Sequence, residues 1–291
     1  MTPALRAEKI AALQRLAADC VLCPRSCRVN RLQGEKGRCG AAGQTLISSA
    51  GPHFGEEKEL VGRGGSGTIF FVNCNLECVF CQNWTISRAH DSGRAVTTAE
   101  LASLMLSLQE DRCSNINLVT PTPYLHQIAS AIDLAASKGL TLPVVYNCGG
   151  YESVQSLRLL EGFIDIYMPD AKYGSDSSGR LYSGVPDYYT RLKESLKEMQ
   201  RQVGDLKTDS SGLAYAGLLV RHLVMPENIA GSSEIARFLS EEISPRCAVN
   251  VMAQYYPSYR AGEYKPLTRR ITSAEFLAAR DAFADRNLRL L

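Results

Sequence analysis

The sequence predicts an α/β fold: a partial (β/α)6 TIM-like barrel with an N-terminal cysteine-rich metal-binding extension. Three observations carry this. Beyond residue 61, strand-like apolar runs alternate with helix-like segments, which means a parallel sheet with right-handed crossovers. Six such units in roughly 220 residues suit an open six-stranded barrel better than a closed eight-stranded one. Seven of the ten cysteines fall in two tight groups, one before the first unit and one at the end of its strand. The expected division is therefore 1–60, a helix and a four-cysteine segment, and 61–291, the barrel.

Each element has its own signal. Residues 3–18 carry apolar residues at helical spacing. Pro24, Gly34, Gly37, Gly40 and Gly43 make the following cysteine segment loop-like, with a metal in place of a core. The Gly62–Gly67 run leads into TIFFVNC (68–74), a buried strand. Thr97-x-x-Glu100 is a capping box opening a helix to Glu110. Strands follow at 115–120, 142–147, 163–168, 214–224 and 247–253. The expected helices are 124–138 and 152–160, then 187–202 and 233–242. Gly139 and Gly204 suit helix C-termini. Thr272-x-x-Glu275 caps a last helix, and GSDSSGR (174–180) reads as a mobile loop. Most strands are apolar on both faces, as doubly covered parallel strands are.

Composition narrows the function. Of 291 residues, 45% are hydrophobic and 21% charged, so a packed core is affordable and a disordered chain is excluded. The net charge of +2 gives no dense positive field, so no nucleic-acid partner is expected. No apolar run nears the ~20 residues of a membrane span. The first residues mix charges among apolar side chains, unlike a signal peptide. A cytoplasmic location follows as the expectation, where thiols stay reduced and clustered cysteines are metal ligands rather than disulfides.

Cys74, Cys78 and Cys81 form C-x3-C-x2-C directly after an apolar strand. Three thiolates this close can hold three corners of a [4Fe–4S] cluster. The missing fourth cysteine leaves one iron for an outside ligand. This spacing, with Phe80 before the last cysteine, resembles the radical S-adenosylmethionine (SAM) superfamily. The stretch FFVNCNLECVFCQNWTIS is similar to pyruvate formate-lyase activating enzyme and its homologues, and the similarity runs roughly through residues 66–255. The resemblance implies that SAM binds the open iron. The reduced cluster then cleaves SAM to a 5′-deoxyadenosyl radical, which takes hydrogen from a substrate. It further implies an electron donor such as flavodoxin or ferredoxin.

The resemblance also assigns residues. Asp170-Ala-Lys172 matches the Asp-x-Lys after the fourth strand, and Asn147-Cys148-Gly149-Gly150 stands where a Thr-Asn-Gly-type turn follows the third. Arg221-His222 matches a basic fifth strand end. Asp170, Lys172 and Arg221 are the expected catalytic residues. Phe80, Asn83, Thr120, Thr122, Asn147, Cys148, Asp170, Arg221 and His222 are expected to line the SAM site. Asp170, with main-chain oxygens near Cys148 and Met168, is the expected place of a monovalent cation. One departure stands out: the superfamily's Gly-Gly-Glu after the second strand is replaced by Thr120-Pro-Thr122-Pro-Tyr124, whose oxygens can accept from the SAM ammonium.

Cys20, Cys23, Cys27 and Cys39 supply four more thiolates among turn residues. They satisfy a closed zinc site and an auxiliary [4Fe–4S] cluster equally well. Three functions follow: hydrogen abstraction from a glycine of a partner protein, radical SAM chemistry on a small molecule or peptide, or a non-catalytic metal-binding module. The first rests on the overall resemblance. The second is favoured by the extra cysteine segment, because a fold does not fix a substrate.

Overall fold

The computed structural model describes residues 1–88 and 93–291. Among these residues ten strands form one sheet: β1 (Thr45–His53), β2 (Ser66–Phe71), β3 (Arg94–Val96), β4 (Ile116–Val119), β5 (Val144–Cys148), β6 (Ile166–Pro169), β7 (Lys207–Thr208), β8 (Ala214–Leu223), β9 (Ala248–Met252) and β10 (Arg289–Leu290). The helices are α1 (Pro3–Ala18), α2 (Lys58–Val61), α3 (Trp84–Ser87), α4 (Thr98–Glu110), α5 (Leu125–Ser137), α6 (Val154–Leu160), α7 (Asp176–Ser183), α8 (Tyr188–Val203), α9 (Ser232–Phe238) and α10 (Ser273–Ala284).

The parallel core runs in the order β2-β4-β5-β6-β8-β9, the six expected strands in sequence order. Both expected capping boxes form, at Thr97 with Glu100 and at Thr272 with Glu275. The parallel register places the C-terminal ends of all six strands on one side, where a partial barrel keeps its chemistry.

Three expectations are corrected. The first strand stops at Phe71, not Cys74, because Asn73 adopts φ +76° and turns the chain off the sheet. The fourth runs 166–169, so Asp170 stands just beyond its end. Residues 174–180 are no mobile loop: Ser175 caps α7 by accepting from the Ser178 N–H, and Gly184 ends it in the left-handed region. Polar composition concealed a helix that buries only Gly179, Tyr182 and Ser183.

The first 60 residues are tied to the barrel. Strand β1 pairs antiparallel with β2 and carries β3 on its other edge. Leu13, Ala17, Leu22, Ala41 and Ile47 belong to the same apolar core as Leu125, Ile128 and Ile132 of α5. Neither β1 nor β3 was legible in the sequence, since β1 alternates poorly and includes Gly51 and Pro52. Among the described residues no helix is long and apolar enough to cross a membrane.

Candidate active site

The chain segment after β2 carries Cys74, Cys78 and Cys81. It is held from three sides. The C-terminal end of α7 accepts two backbone hydrogen bonds, Glu77 N–H to Ser183 O (3.1 Å) and Val79 N–H to Tyr182 O (2.9 Å). Arg88 donates to the Leu76 carbonyl (3.3 Å), and Arg260 N–H donates to the Val79 carbonyl (2.8 Å). Each sulfur has a polar neighbour. Leu76 N–H points at Cys74 Sγ (3.4 Å), the Ser183 hydroxyl donates to Cys78 Sγ (3.0 Å), and the Ser87 hydroxyl lies 3.2 Å from Cys81 Sγ. Hydrogen bonds to ligating sulfur are a means by which proteins tune iron–sulfur centres. Burial first, then repulsion from Cys78, pushes the Cys74 thiol well up, and burial does the same at Cys78. Three soft donors gathered in this way fit a cluster corner set.

A cleft of about 200 Å3 opens beside them, lined by Cys78, Phe80, Cys81, Asn83, Asp170, Lys172 and Arg221 among others. Asp170 is its electrostatic centre. Its Oδ2 accepts from Lys172 Nζ at 2.6 Å and its Oδ1 from Arg221 Nε at 2.9 Å. Burial pushes the Asp170 carboxyl up, but Arg221 and Lys172 outweigh it and hold it below its ordinary value. Burial alone would lower Lys172, and Asp170 reverses that. Arg221 also donates to Asn147 Oδ1 (2.7 Å) and faces Glu56 Oε2 at 3.6 Å. Lys172 is near enough for its charge to offset part of what burial does to the Cys78 thiol.

Tyr188, at the start of α8, sets the turn that aims these groups. Its hydroxyl lies 2.9 Å from the Gly149 carbonyl and 2.8 Å from the Asp170 carbonyl, and accepts from Lys172 N–H at 2.9 Å. Gly150, at φ +76°, leaves room for this: a Cβ there would stand 2.5 Å from Asp170 O. Sequence reasoning missed Tyr188 and Glu56, which carry no motif and reach the site only through folding.

Not every expected residue arrives. His222 alternates with Arg221 on β8 and so points to the opposite face. It is fully buried, 2.8 Å from the Ala171 carbonyl and 2.9 Å from the Ser232 hydroxyl. Thr122 is buried with its hydroxyl donated to Glu152 Oε1 (2.9 Å), and Tyr146 donates to the other oxygen (3.0 Å). Burial pushes Glu152 up to about 7. Thr120, half-buried, is held at φ +61° with its N–H on the Asn147 carbonyl (2.8 Å). The Cys148 carbonyl accepts from Asp170 N–H (2.9 Å). A monovalent cation at Asp170 would share its carboxylate with Lys172 and Arg221, each of which already donates to one oxygen.

Two arginines tie the N-terminal cysteine segment to the triplet loop. Arg25, between Cys23 and Cys27, donates to the Asn75 carbonyl, between Cys74 and Cys78. Arg38, beside Cys39, forks onto Glu77 (2.6 and 3.1 Å), beside Cys78. Cys20, Cys23 and Cys39 are buried, and Cys27 accepts from Arg38 N–H at 3.3 Å. Among the described residues, no group of three or more His, Cys, Asp or Glu side chains is spaced to hold a single metal ion.

No family model matches the chain. The uncharacterised protein MJ0674 of Methanocaldococcus jannaschii is 32% identical over 292 residues, covering 97% of this chain and 79% of that one. Among solved structures, a radical SAM methyltransferase from Sphaerobacter thermophilus superposes with a TM-score of 0.52 at 14% identity, over 75% of this chain and 62% of the other. SuiB of Streptococcus suis, solved bound to S-adenosylmethionine, gives 0.53 at 12% identity, over 75% and 47%. The chain thus spans about half to three-fifths of the length of these solved chains. At such identities the likeness is one of fold.

Proposed function

For this chain, which belongs to one family with the M. jannaschii protein MJ0674 and shares the partial barrel of radical SAM enzymes, we propose a radical SAM enzyme. A [4Fe–4S] cluster on Cys74, Cys78 and Cys81 would supply, with SAM, a 5′-deoxyadenosyl radical that takes hydrogen from a substrate. The observation that carries this reading is one cleft at the strand ends where two of the triplet's cysteines, Cys78 and Cys81, meet Asp170, Lys172 and Arg221.

In this reading the chain's own groups bind and orient. Arg221, preset by Asp170 and Asn147, presents a planar fork suited to a carboxylate. Lys172 adds a second positive charge next to the cysteines. Phe80, packed edge-on to Tyr173 and Tyr255, gives the cleft an apolar wall. The electron comes from a donor of the flavodoxin or ferredoxin class. The four N-terminal cysteines form a second metal centre, and their spacing suits a [4Fe–4S] cluster rather than a single zinc ion.

For the substrate, sequence resemblance supports a glycine of a partner protein, activated to a glycyl radical. A peptide or small molecule is the second reading. It is favoured by the N-terminal segment, whose arginines grip the triplet loop and so change what surrounds the site. The test is anaerobic reconstitution followed by iron, sulfide and zinc counts and an assay for 5′-deoxyadenosine with reductant. Iron-loaded, reduced protein that leaves SAM intact would remove the enzymatic reading. Electron paramagnetic resonance of a candidate glycyl protein then separates the two substrate classes.

A further inference from the structure

Arg31 is 2% exposed, yet a guanidinium is always charged in a protein. Its Nε donates to Cys20 Sγ (2.8 Å), its Nη2 to Cys39 Sγ (3.1 Å) and its Nη1 to the Ala41 carbonyl (3.2 Å). None of these recorded partners is a carboxylate. A buried cation with no anion beside it is strongly unfavourable. The sulfurs it donates to are the nearest groups that can carry a compensating negative charge.

The rest of the pocket is shaped around the same contact. Gly37 separates the guanidinium from a third cysteine: a Cβ at that position would lie 2.9 Å from Arg31 Nη2 and 3.5 Å from Cys27 Sγ. The fourth cysteine, Cys23, is buried as well. His126, buried nearby, has no partner for Nδ1 and is held neutral by burial and by the charge of Arg31. It cannot serve as the missing anion. The Arg31 backbone is fixed by Asn30, whose side chain caps the Arg31–Gln33 turn, and by Gly34 N–H on its carbonyl (3.0 Å).

We propose that Arg31 is the fixed counter-cation of an anionic four-cysteine iron–sulfur centre on Cys20, Cys23, Cys27 and Cys39. This rests on the reading of those four cysteines as metal ligands. Four thiolates around a doubly charged cluster core leave a net charge of −2, which a buried site tolerates poorly. Arg31 halves it and donates to two of the sulfurs. A cation in this place favours the reduced form of the cluster and raises the reduction potential. Arg31 is then a positioning and tuning residue, not a ligand.

The test isolates the centre. In full-length chain carrying Cys74→Ala, Cys78→Ala and Cys81→Ala, Arg31→Gln, Arg31→Lys and Gly37→Ala are each introduced. Each protein is loaded anaerobically with zinc alone, or with ferrous iron and sulfide. Metal per chain, competition against a chelator, midpoint potential of any cluster and melting temperature are measured. The parent should hold one centre. Arg31→Gln should weaken metal retention about 10- to 100-fold, the usual effect of losing a group that supports ligands. A cluster should also lose potential, by about 59 mV for each tenfold weaker preference for the reduced form. Arg31→Lys should fall between Gln and parent, because it keeps the charge. Gly37→Ala keeps the arginine but crowds it off the sulfurs, and should weaken retention several-fold. If the parent holds no cluster, the four-cysteine iron–sulfur centre itself falls, and this inference with it. If the parent is loaded but Arg31→Gln and Gly37→Ala match its affinity and potential, the centre stands and Arg31 is only packing. Equal losses with Lys and Gln would also overturn the inference, since charge would not matter. Should Arg31→Gln fail to fold, Arg31→Lys and Gly37→Ala, both matching the parent, would overturn it, and a loss in Gly37→Ala would support it.

Discussion

Asp170, just beyond the end of β6, and Arg221, within the neighbouring parallel strand β8, stand side by side, joined twice. Their backbones form a bridge, with Ala171 N–H on the Arg221 carbonyl (2.7 Å), and their side chains meet at 2.9 Å. The backbone pairing sets the distance at which the ion pair forms, so the pair needs little ordering of its own. The sequence separation of 51 residues gives no hint of it.

Removing that carboxylate should cost both stability and activity. Asp170→Ala leaves Lys172 and Arg221 mostly buried without their shared anion, a loss of about 3 kcal/mol. It should also slow SAM cleavage about 10²-fold through lost positioning. Lys172→Met leaves Asp170 paired with Arg221 and should cost distinctly less in both. Thermal melting and 5′-deoxyadenosine formation at saturating SAM check this. An Asp170→Ala protein as stable as the parent would contradict it.

Cys78→Ala should abolish SAM cleavage and lower iron content while the barrel folds, because Cys78 lies in the loop after the parallel sheet, not within it. Far-ultraviolet circular dichroism and iron analysis on one preparation are sufficient. Ser183→Ala is the milder companion. It removes the hydroxyl donor to Cys78 Sγ and should leave the iron count intact while lowering the cluster's midpoint potential. An unchanged potential would mean that the contact is not made in the loaded protein.

Tyr188→Phe should destabilise by about 2 kcal/mol. The lost hydroxyl leaves Lys172 N–H and two carbonyls in buried surroundings with one partner fewer. Denaturant unfolding measures this, and SAM binding should weaken in the same variant as the Asp170–Lys172 turn loosens.

His222 provides a pH signature. Burial pushes its imidazole down to about 4, with the Ala171 carbonyl and Asp170 opposing. Ser232 and Phe283 complete its surroundings. Below about pH 6.5 the unfolded chain takes up a proton that the folded chain refuses. The stability is therefore complete above pH 6.5 and is lost as pH falls towards 4, by up to about 3 kcal/mol. Subtracting the unfolding free energies of His222→Gln from those of the parent at pH 8 and pH 5 should show this slope. A difference that does not change with pH would place the ring in contact with water.

What the sequence alone determined is local or periodic. Alternation of apolar runs with capped helices specified six parallel strands, because each signal lies within one element. Cysteine spacing marked two candidate metal groups, because ligands to one centre cluster along the chain. Asp170, Lys172 and Arg221 were legible as charges at apolar strand ends, where only partners make them tolerable. The tertiary structure decided which side of each strand faced the cleft: one residue's shift along β8 separates Arg221 from His222. It brought Tyr188, Ser183 and Glu56 to the site from segments with no motif, and set Arg31 against Cys20 and Cys39. Those contacts depend on the packing of elements distant in sequence, or on how a turn-rich loop closes, and a hydrophobic pattern read along the chain records neither.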